Sequence, residues 1–314
     1  MRVVILGGTK FIGRAIGSAL VARGDAVLLC HRGVTEPAGL AAAEHLHVDR
    51  LELATVRAEL AAFGPDAVVD VSGRREEDAA IALDALPAGL AMVAISSGDV
   101  YRAFESLHSG LQTDALPLAE SAPLRARREI EGAALDNIGI EQRYLARGGT
   151  ALRLAAVHGE HDGQRRFEFM LRRVRGGRQR IPIGAAAFLF SKVYVGDVAT
   201  AVLAALDNDV AGEAFNICER FTPPFRLFAQ QILDIAGSDA ELVTVPQRVL
   251  PEDLSITGEV SQHLLMDSSK ARELLGWQET DALEQSVRWH LDNPPEEWDT
   301  DFTADDAALA AADA

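Results

Sequence analysis

A glycine-rich segment near the amino terminus has the residue types and spacing that hold a pyrophosphate. Gly7-Gly8-Thr9-Lys10-Phe11-Ile12-Gly13 follows an apolar run and opens a longer amphipathic stretch, which is the context of a dinucleotide-binding loop. Gly7 permits the tight turn, Gly13 lets helix and strand pack closely, and the first amides of the helix can face phosphate oxygens. We therefore predict cofactor contacts from this loop, namely Gly7, Thr9, Lys10, Phe11, Ile12 and Gly13.

The end of the second apolar run predicts which dinucleotide binds. Proteins that prefer NAD usually have an acidic residue there, which takes the ribose hydroxyls. This chain has His31 and Arg32 at that place, and Arg32, together with Lys10, could receive a 2′-phosphate. We expect NADP(H), with NAD(H) as the alternative. Arg32 is otherwise interpreted as a solvated loop arginine.

Two further strand ends supply candidate nucleotide contacts. Asp49 and Arg50 follow the third apolar run, where the Asp49 carboxylate could accept from the adenine amino group; a surface Asp–Arg pair is the alternative. The fourth run closes on Val71, Ser72 and Gly73, whose small side chains let ribose and pyrophosphate lie close to the backbone.

These candidates need a parallel sheet to bring them together. Short apolar runs alternate with longer amphipathic stretches from Val3 to Leu154, which is typical of βαβ units with helices on both faces. We predict an α/β fold, a doubly wound Rossmann sheet over residues 1–157. Residues 158–298 are expected to form a smaller substrate lobe that returns to the main sheet at about 193–218, and residues 299–314 a disordered acidic tail.

Composition excludes several classes of partner. The net charge of −17 repels nucleic acid and anionic lipid, and the apolar runs are shorter than the roughly 18 residues that suggest a membrane span. The chain begins directly with a strand-like run, so we expect no signal peptide and a cytoplasmic protein. Cys30 and Cys218 each lie within an apolar run and are predicted to be core thiols.

Five segments in order resemble the NAD-dependent epimerase/dehydratase family of extended short-chain dehydrogenases. They are the glycine loop, the segment 95–101 (Ile-Ser-Ser-Gly-Asp-Val-Tyr), residues 193–199, residues 215–217 and the segment 267–277 (Asp-Ser-Ser-Lys-Ala-Arg-Glu-Leu-Leu-Gly-Trp). The resemblance implies a Rossmann domain with a C-terminal lobe, a small-molecule substrate and a possible homodimer. It also implies that Ser96, at the end of the fifth strand, lies beside the cofactor.

The catalytic pair of that family is missing from this sequence. Its enzymes use a Ser or Thr after the fifth strand and a Tyr-x-x-x-Lys motif, in which the Lys lowers the pKa of the Tyr. The resemblance places Ser97 at the serine position, but no tyrosine of this chain has a lysine four residues later. Alignment on Glu141 puts Asn137 at the Lys position and Ala133 at the Tyr position. Asn137 can still bind a ribose hydroxyl, but it carries no charge.

The remaining polar residues suggest a different catalytic set, Ser97, Asp99, Tyr101 and His158. Asp99 matches the second acid of the pair that sugar-nucleotide dehydratases carry in this loop, and a buried carboxylate can move a proton. The alternative is that Asp99 caps a turn and Tyr101 packs under the lobe. His158 is expected to line the pocket, and spacing alone gives no reason to expect a metal at His158 and His161.

An arginine-rich stretch, residues 165–180, is the one strongly basic segment. Most of these arginines are expected to be solvated or paired with acidic residues, while Arg166 is our candidate for binding an anionic substrate group. The sequence thus favours an NADP(H)-binding epimerase, dehydratase or reductase that acts on a hydroxyl or keto group of a small polar molecule. The alternatives are a non-redox isomerase, cyclase or lyase on the same scaffold, and a non-catalytic NADP-binding protein.

Overall fold

The computed structural model describes residues 1–127, 135–255 and 261–313. The strands are β1 (Arg2–Leu6), β2 (Ala26–His31), β3 (Glu44–His47), β4 (Ala67–Asp70), β5 (Ala91–Ser97), β6 (Thr150–Leu154), β7 (Ala156–His158), β8 (Arg180–Ile183), β9 (Lys192–Tyr194), β10 (Ala214–Ile217) and β11 (Glu241–Thr244). Seven of them form the central sheet in the order β10-β6-β5-β4-β1-β2-β3. All pairs in this sheet are parallel, so all its carboxyl ends lie at one edge.

The helices fall into two groups, those that cover both faces of that sheet and those that pack together in the carboxyl-terminal part of the chain. They are α1 (Phe11–Arg23), α2 (Arg57–Phe63), α3 (Glu76–Ala85), α4 (Arg102–Ser109), α5 (Asn137–Ala146), α6 (Glu168–Arg175), α7 (Val195–Asp207), α8 (Phe225–Ala236), α9 (Ser269–Leu275), α10 (Leu283–Asp292) and α11 (Thr303–Asp313). Alternate β1 residues face opposite ways: Val3 and Ile5 pack with α1 and α7, whereas Val4 and Leu6 pack with α2 and α3. The predicted doubly wound Rossmann fold is confirmed.

A second core lies in the carboxyl-terminal part of the chain. Phe167, Met170, Phe228 and Ile232 from α6, α8 and the loop before α6 form its apolar centre. Strands β8 and β11 form a separate parallel pair, as do β7 and β9. The predicted return to the main sheet is therefore made by β10, which lies beside β6, and not by β9.

The prediction of a disordered acidic tail is wrong. The segment forms helix α11, and its Asp305 side chain is fully buried against Arg173 of α6, with Arg173 Nε 2.6 Å from an Asp305 oxygen. Ala308 and Leu309 of the same helix are also buried. The composition of the tail is that of a disordered segment, but a partner more than a hundred residues away in the sequence orders it.

The arginine-rich stretch is largely neutralised within the chain, as the sequence predicts. Arg172 pairs with Asp253 at 2.8 Å, and several further arginines pair with carboxylates of the carboxyl-terminal segment, among them Arg178 with Asp306 and Arg180 with Asp313. Cys30 and Cys218 are buried free thiols. In the described part of the chain, no helix has the length and hydropathy needed to cross a bilayer.

Candidate functional site

The loop between β1 and α1 has the backbone geometry of a pyrophosphate cradle. Gly7 has a φ of 92°, and a Cβ there would lie 2.5 Å from the Cβ of Ser72. A Cβ on Gly13 would overlap the carbonyl oxygen of Gly7. Helix α1 begins at Phe11 without a side-chain cap from Lys10, so the amides of its first turn are left for an anion. The residues present therefore fit a dinucleotide phosphate.

A cavity of about 730 Å³ extends from this loop along the carboxyl ends of β1 to β4. It brings together most of the predicted cofactor residues, namely Gly7, Thr9, Lys10, His31, Arg32, Asp49, Arg50, Val71, Ser72 and Gly73. Phe11, Ile12 and Gly13 lie at the start of the helix beside it. Arg74 also lines the cavity and was missed, although it directly follows the small-residue segment 71–73 that marks the end of β4.

The charged residues around the cavity do not pair with their neighbours in the sequence. Arg50 pairs with Asp70 of β4, with Nη1 2.6 Å from Oδ1, and also donates to the Ser72 hydroxyl at 2.9 Å. Asp49 instead accepts from the backbone amide of Leu51 at 3.0 Å, so the expected alternative of an Asp49–Arg50 pair does not form. Within the described residues, Lys10 and Arg32 make no ion pair, which leaves both cations available to an anionic ligand.

Gly13 offers a direct test of the phosphate cradle. Replacing Gly13 with Ala forces its methyl group against the Gly7 carbonyl, which must shift the loop and misplace the first-turn amides. We expect NADP(H) affinity to fall about tenfold or more, the equivalent of roughly 1.4 kcal/mol, as measured by calorimetry. Gly163→Ala serves as the control for an added methyl group, because Gly163 lies outside the positive-φ region and a Cβ there meets nothing within 4 Å. Unchanged NADP(H) binding in Gly13→Ala would contradict the proposal that this loop holds the cofactor phosphates.

Asp99 is held by Asn137 at the end of β5. The Asn137 side-chain amide donates to both Asp99 oxygens at 2.9 and 3.0 Å, and Asp99 is only 8% exposed. Burial raises the pKa of Asp99 above its usual value, opposed by the Asn137 hydrogen bond and the charge of Arg125. Asn137 thus contacts the acid that follows Ser97, whereas Ala133, at the family's Tyr position, lies outside the described residues.

Ser97 lies next to Asp99 and partly caps the turn that carries it. Its hydroxyl oxygen accepts from the Asp99 backbone amide at 3.2 Å, and the side chain is partly exposed. A hydroxyl that accepts one hydrogen bond still has its own proton to donate. Ser97 can therefore cap the turn and orient a substrate oxygen at the same time.

Tyr101 is part of the core and is not placed for catalysis. The side chain is fully buried, and its hydroxyl donates to the Asn216 side-chain oxygen at 2.6 Å and accepts from Arg153 at 3.2 Å. Burial raises its pKa to about 12. The alternative that Tyr101 packs under the lobe is the one the structure supports, because its ring lies in a buried cluster with Leu118, Cys218 and Met266.

Ser96 also points away from the cofactor crevice. Its hydroxyl donates to Glu141 at 2.5 Å, and Glu141 is paired with Arg153 at 2.8 Å in the same buried network. The predicted side-chain contact of Ser96 with the cofactor is therefore wrong, because Ser96 and Ser97 lie on opposite faces of β5.

His158 is an interior residue as well. Its Nδ1 lies 2.9 Å from the Ser286 hydroxyl and its Nε2 lies 2.8 Å from Glu219, and the side chain is 1% exposed. The expectation that His158 lines the pocket is wrong, because its side chain is buried and both ring nitrogens already have protein partners. His161 instead packs edge-on against Trp289.

Arg166 lies in the loop before α6, where its backbone amide donates to Asp162 at 3.0 Å. The side chain is exposed, and Arg166 is not among the residues that line the nucleotide cavity. Its role in substrate binding stays a prediction.

Comparison with known proteins agrees with this architecture. Residues 3–218 match the family model described as the NAD dependent epimerase/dehydratase family. The chain is 27% identical to the Arabidopsis thaliana chloroplast stem-loop binding protein of 41 kDa b, over 98% of this chain and 84% of that protein. It is 26% identical to the 2′-dehydrokanamycin reductase of Streptomyces kanamyceticus, over 81% and 72%.

A solved structure shows the same fold at low sequence identity. UDP-glucose-4-epimerase from Stenotrophomonas maltophila, with bound NAD and formylated UDP-arabinopyranose, superposes with a TM-score of 0.75 at 17% identity. The superposition covers 93% of this chain and 98% of that one. The shared architecture includes both the central sheet and the carboxyl-terminal lobe.

Proposed function

Because this chain belongs to the NAD-dependent epimerase/dehydratase family, we propose that it is an NADP(H)-binding epimerase, dehydratase or reductase with a non-standard catalytic set. Its substrate is a small polar molecule that carries a hydroxyl or keto group. Asp99 and Ser97 act on that group in place of the missing Tyr-x-x-x-Lys motif.

The observation that carries the proposal is the contact of Asn137 with both oxygens of Asp99. Asn137 stands at the position of the family's Lys, and its side-chain amide contacts Asp99, the acid that follows β5. A buried carboxylate held by an amide is a fixed proton acceptor or donor whose pKa lies nearer to neutrality than that of a free one. The Asp99–Asn137 pair could therefore transfer the proton that the Tyr–Lys pair transfers in the family. This favours a working active site over a site that has lost its activity.

The cofactor fits the cavity along the carboxyl ends of β1 to β4. The first-turn amides of α1 would hold the pyrophosphate, and Lys10 and Arg32 would take a 2′-phosphate. Ser72 and Gly73 leave room for the ribose close to the backbone. When bound, the nicotinamide supplies hydride transfer.

Side chains of this protein would transfer the proton of the substrate hydroxyl group. Ser97 donates its hydroxyl hydrogen to the substrate oxygen, which fixes the oxygen next to the Asp99 carboxylate. Asp99 in its ionised form accepts the proton of the substrate hydroxyl, or in its protonated form gives a proton to a keto oxygen. Asn137 positions Asp99 throughout and stabilises the ionised form by two hydrogen bonds.

Two alternatives share the same scaffold. A non-redox isomerase, cyclase or lyase would use Asp99 with no hydride transfer to or from the nicotinamide, and a non-catalytic protein would bind NADP only. The stem-loop binding of the plant relative is not carried over to this chain. The net charge of this chain, −17, opposes binding of a polyanion such as RNA. Many arginines of residues 165–180 are also paired with carboxylates of the same chain.

Nucleotide binding and NADPH oxidation, both measured on the purified protein, separate these functions. Calorimetric titration with NADP(H) and NAD(H) tests binding, and we expect NADP(H) to bind tighter. NADPH oxidation over a panel of small carbonyl compounds tests redox turnover. If neither nucleotide binds or raises the melting temperature, the proposal and the non-catalytic alternative both fail. Binding without NADPH oxidation excludes only the reductase, because an epimerase or a dehydratase returns the hydride within each cycle and is detected by its product instead.

Arg32 gives a sharper prediction on cofactor choice. Removing its guanidinium by Arg32→Ala should weaken NADP(H) about 10- to 100-fold, the equivalent of a charge-assisted hydrogen bond of roughly 1.5–3 kcal/mol, and leave NAD(H) within about twofold. Arg147→Ala, a change at another surface arginine, serves as the matched control. Equal losses for both nucleotides would show that Arg32 does not contact the 2′-phosphate.

A further inference from the structure

Three histidines and a glutamate converge at the edge of the central sheet. One ligand atom from each of His31, Glu36, His45 and His47 lies within 4.8 Å of all the others. His31 ends β2, Glu36 lies in the loop that follows, and His45 and His47 belong to the edge strand β3. No other group of this kind occurs within residues 1–127, 135–255 and 261–313.

The strand register explains why these residues meet. In the parallel pair of β2 and β3, His31 lies opposite His47 and Leu29 lies opposite His45. Because side chains two residues apart in a strand share a face, the three imidazoles project from the same face of the sheet. The rings of His45 and His47 each lie 5.0 Å from that of His31, and Glu36 contacts His47 from the loop.

We propose that His31, Glu36, His45 and His47 form a binding site for one divalent cation of the Zn²⁺ class. Imidazole nitrogens with one carboxylate oxygen are the donor set of Zn²⁺, Co²⁺ and Ni²⁺, and not of Mg²⁺ or Ca²⁺, which prefer oxygen ligands. The ion would join the end of β2, the connecting loop and β3. It would thereby fasten the exposed edge of the sheet beside the nucleotide cavity, which His31 also lines.

The hydrogen bonds of the two inner rings indicate how the ion enters. His31 Nε2 and His45 Nδ1 face each other at 2.8 Å, whereas two nitrogens on a tetrahedral ion with bonds of about 2.0–2.1 Å lie roughly 3.3 Å apart. A shift of about half an ångström therefore opens the gap. His45 Nε2 lies 3.3 Å from the Leu40 carbonyl, the outer contact that typically orients a metal-binding histidine.

His31 supplies a local reporter of metal binding. The Gly33 amide donates to His31 Nδ1 at 3.1 Å, so in the neutral ring the proton is on Nε2. When Nε2 binds the ion, that proton must move to Nδ1, and the hydrogen bond from Gly33 is lost. The Gly33 amide signal in a proton–nitrogen correlation spectrum should therefore shift on metal binding.

The decisive experiment is a titration of untagged, EDTA-treated full-length protein with ZnCl₂ by calorimetry and with CoCl₂ by visible absorption. We expect one ion per chain and the visible absorption of tetrahedral Co²⁺. The double variant His45→Asn/His47→Asn should weaken binding more than about 100-fold, because loss of an outer contact alone costs roughly 10- to 100-fold. Glu36→Gln, at an exposed loop position, should weaken it to a smaller extent.

The controls separate this site from general cation binding. His161→Asn removes an imidazole outside the cluster, where Asn tolerates the positive φ of 63°, and should leave the Zn²⁺ affinity unchanged. Binding of no ion, or an affinity that Glu36→Gln and the double variant do not change, would overturn the proposal. NADP(H) affinity measured in EDTA is independent of this outcome, so failure of the metal site and failure of the proposed function are distinguishable.

Discussion

Replacing Asp99 with Asn is expected to lower turnover by about 10²- to 10⁴-fold, the range that one positioned acid or base contributes. Asn keeps the shape of the side chain but can neither accept nor release the substrate proton. NADP(H) affinity should change little, since Asp99 is not among the residues that line the cavity along β1 to β4. The melting temperature should fall somewhat, because Asn137 loses one of its two acceptors on Asp99. Steady-state kinetics on the substrate found in the panel, together with calorimetry, provide the measurement.

The pH profile distinguishes a catalytic role of Asp99 from a structural one. Burial raises the pKa of Asp99, so if the ionised form is the base, kcat/KM should fall as pH decreases through this raised pKa. Asn137 stabilises the ionised form, and Asn137→Ala should therefore raise the pKa of Asp99 further and move the acidic limb of the profile to higher pH. A merely structural Asn137 would lower activity without moving that limb.

Ser97→Ala serves as the companion to Asp99→Asn. It removes the hydroxyl that would orient the substrate oxygen and should lower kcat by a smaller factor, without displacing the acidic limb. Full activity in Asp99→Asn would contradict both the proposed enzyme and its non-redox alternative. It would leave the non-catalytic NADP-binding protein as the remaining candidate.

The second large effect is expected at the junction of α6 and α11. Asp305→Ala should lower the free energy of unfolding by about 3–5 kcal/mol, because it leaves the charge of Arg173 buried without its inner partner. Both side chains are 0% exposed, and two hydrogen bonds of 2.6 and 2.8 Å join them. Asp253, which also pairs with Arg173, should keep the loss toward the lower end of that range. Denaturant unfolding measures it.

Asp306 provides the matched control in the same helix. It is 62% exposed and pairs with Arg178 at the surface, where ion pairs contribute little. Asp306→Ala should therefore change the unfolding free energy much less than Asp305→Ala. Equal effects of the two substitutions would show that α11 stabilises the fold through its negative charge in general and not through the buried Asp305–Arg173 pair.

Local sequence patterns were sufficient to predict the central sheet and the cofactor loop. The second apolar run forms β2 (Ala26–His31), and the amphipathic stretch that the glycine loop opens forms α1 (Phe11–Arg23). Apolar periodicity and glycine position are properties of contiguous residues, so they can be recognised without knowledge of distant partners. For the same reason the glycine loop and the strand ends predicted half of the residues that line the cavity along β1 to β4, ten of twenty.

The direction of individual side chains was decided only by the tertiary structure. Ser96 and Tyr101 occur in the segment that resembles the family's catalytic loop, yet they contact Glu141 and Asn216 in the interior. His158 likewise lies between Ser286 and Glu219. Their partners come from distant parts of the chain, so no local spacing predicts which polar residues face the crevice and which stabilise the core.

The glycine-rich loop before α1 was thus predicted by the sequence alone, because its glycines and the helix start that it needs are neighbours in the chain. The Asp99–Asn137 pair, the ordered acidic helix and the histidine cluster depend on residues brought together by folding. Each joins segments that are distant in sequence and contribute one or two polar groups apiece. Such contacts form only once the sheet register and the packing of the helices are fixed, which is why the tertiary structure was needed to find them.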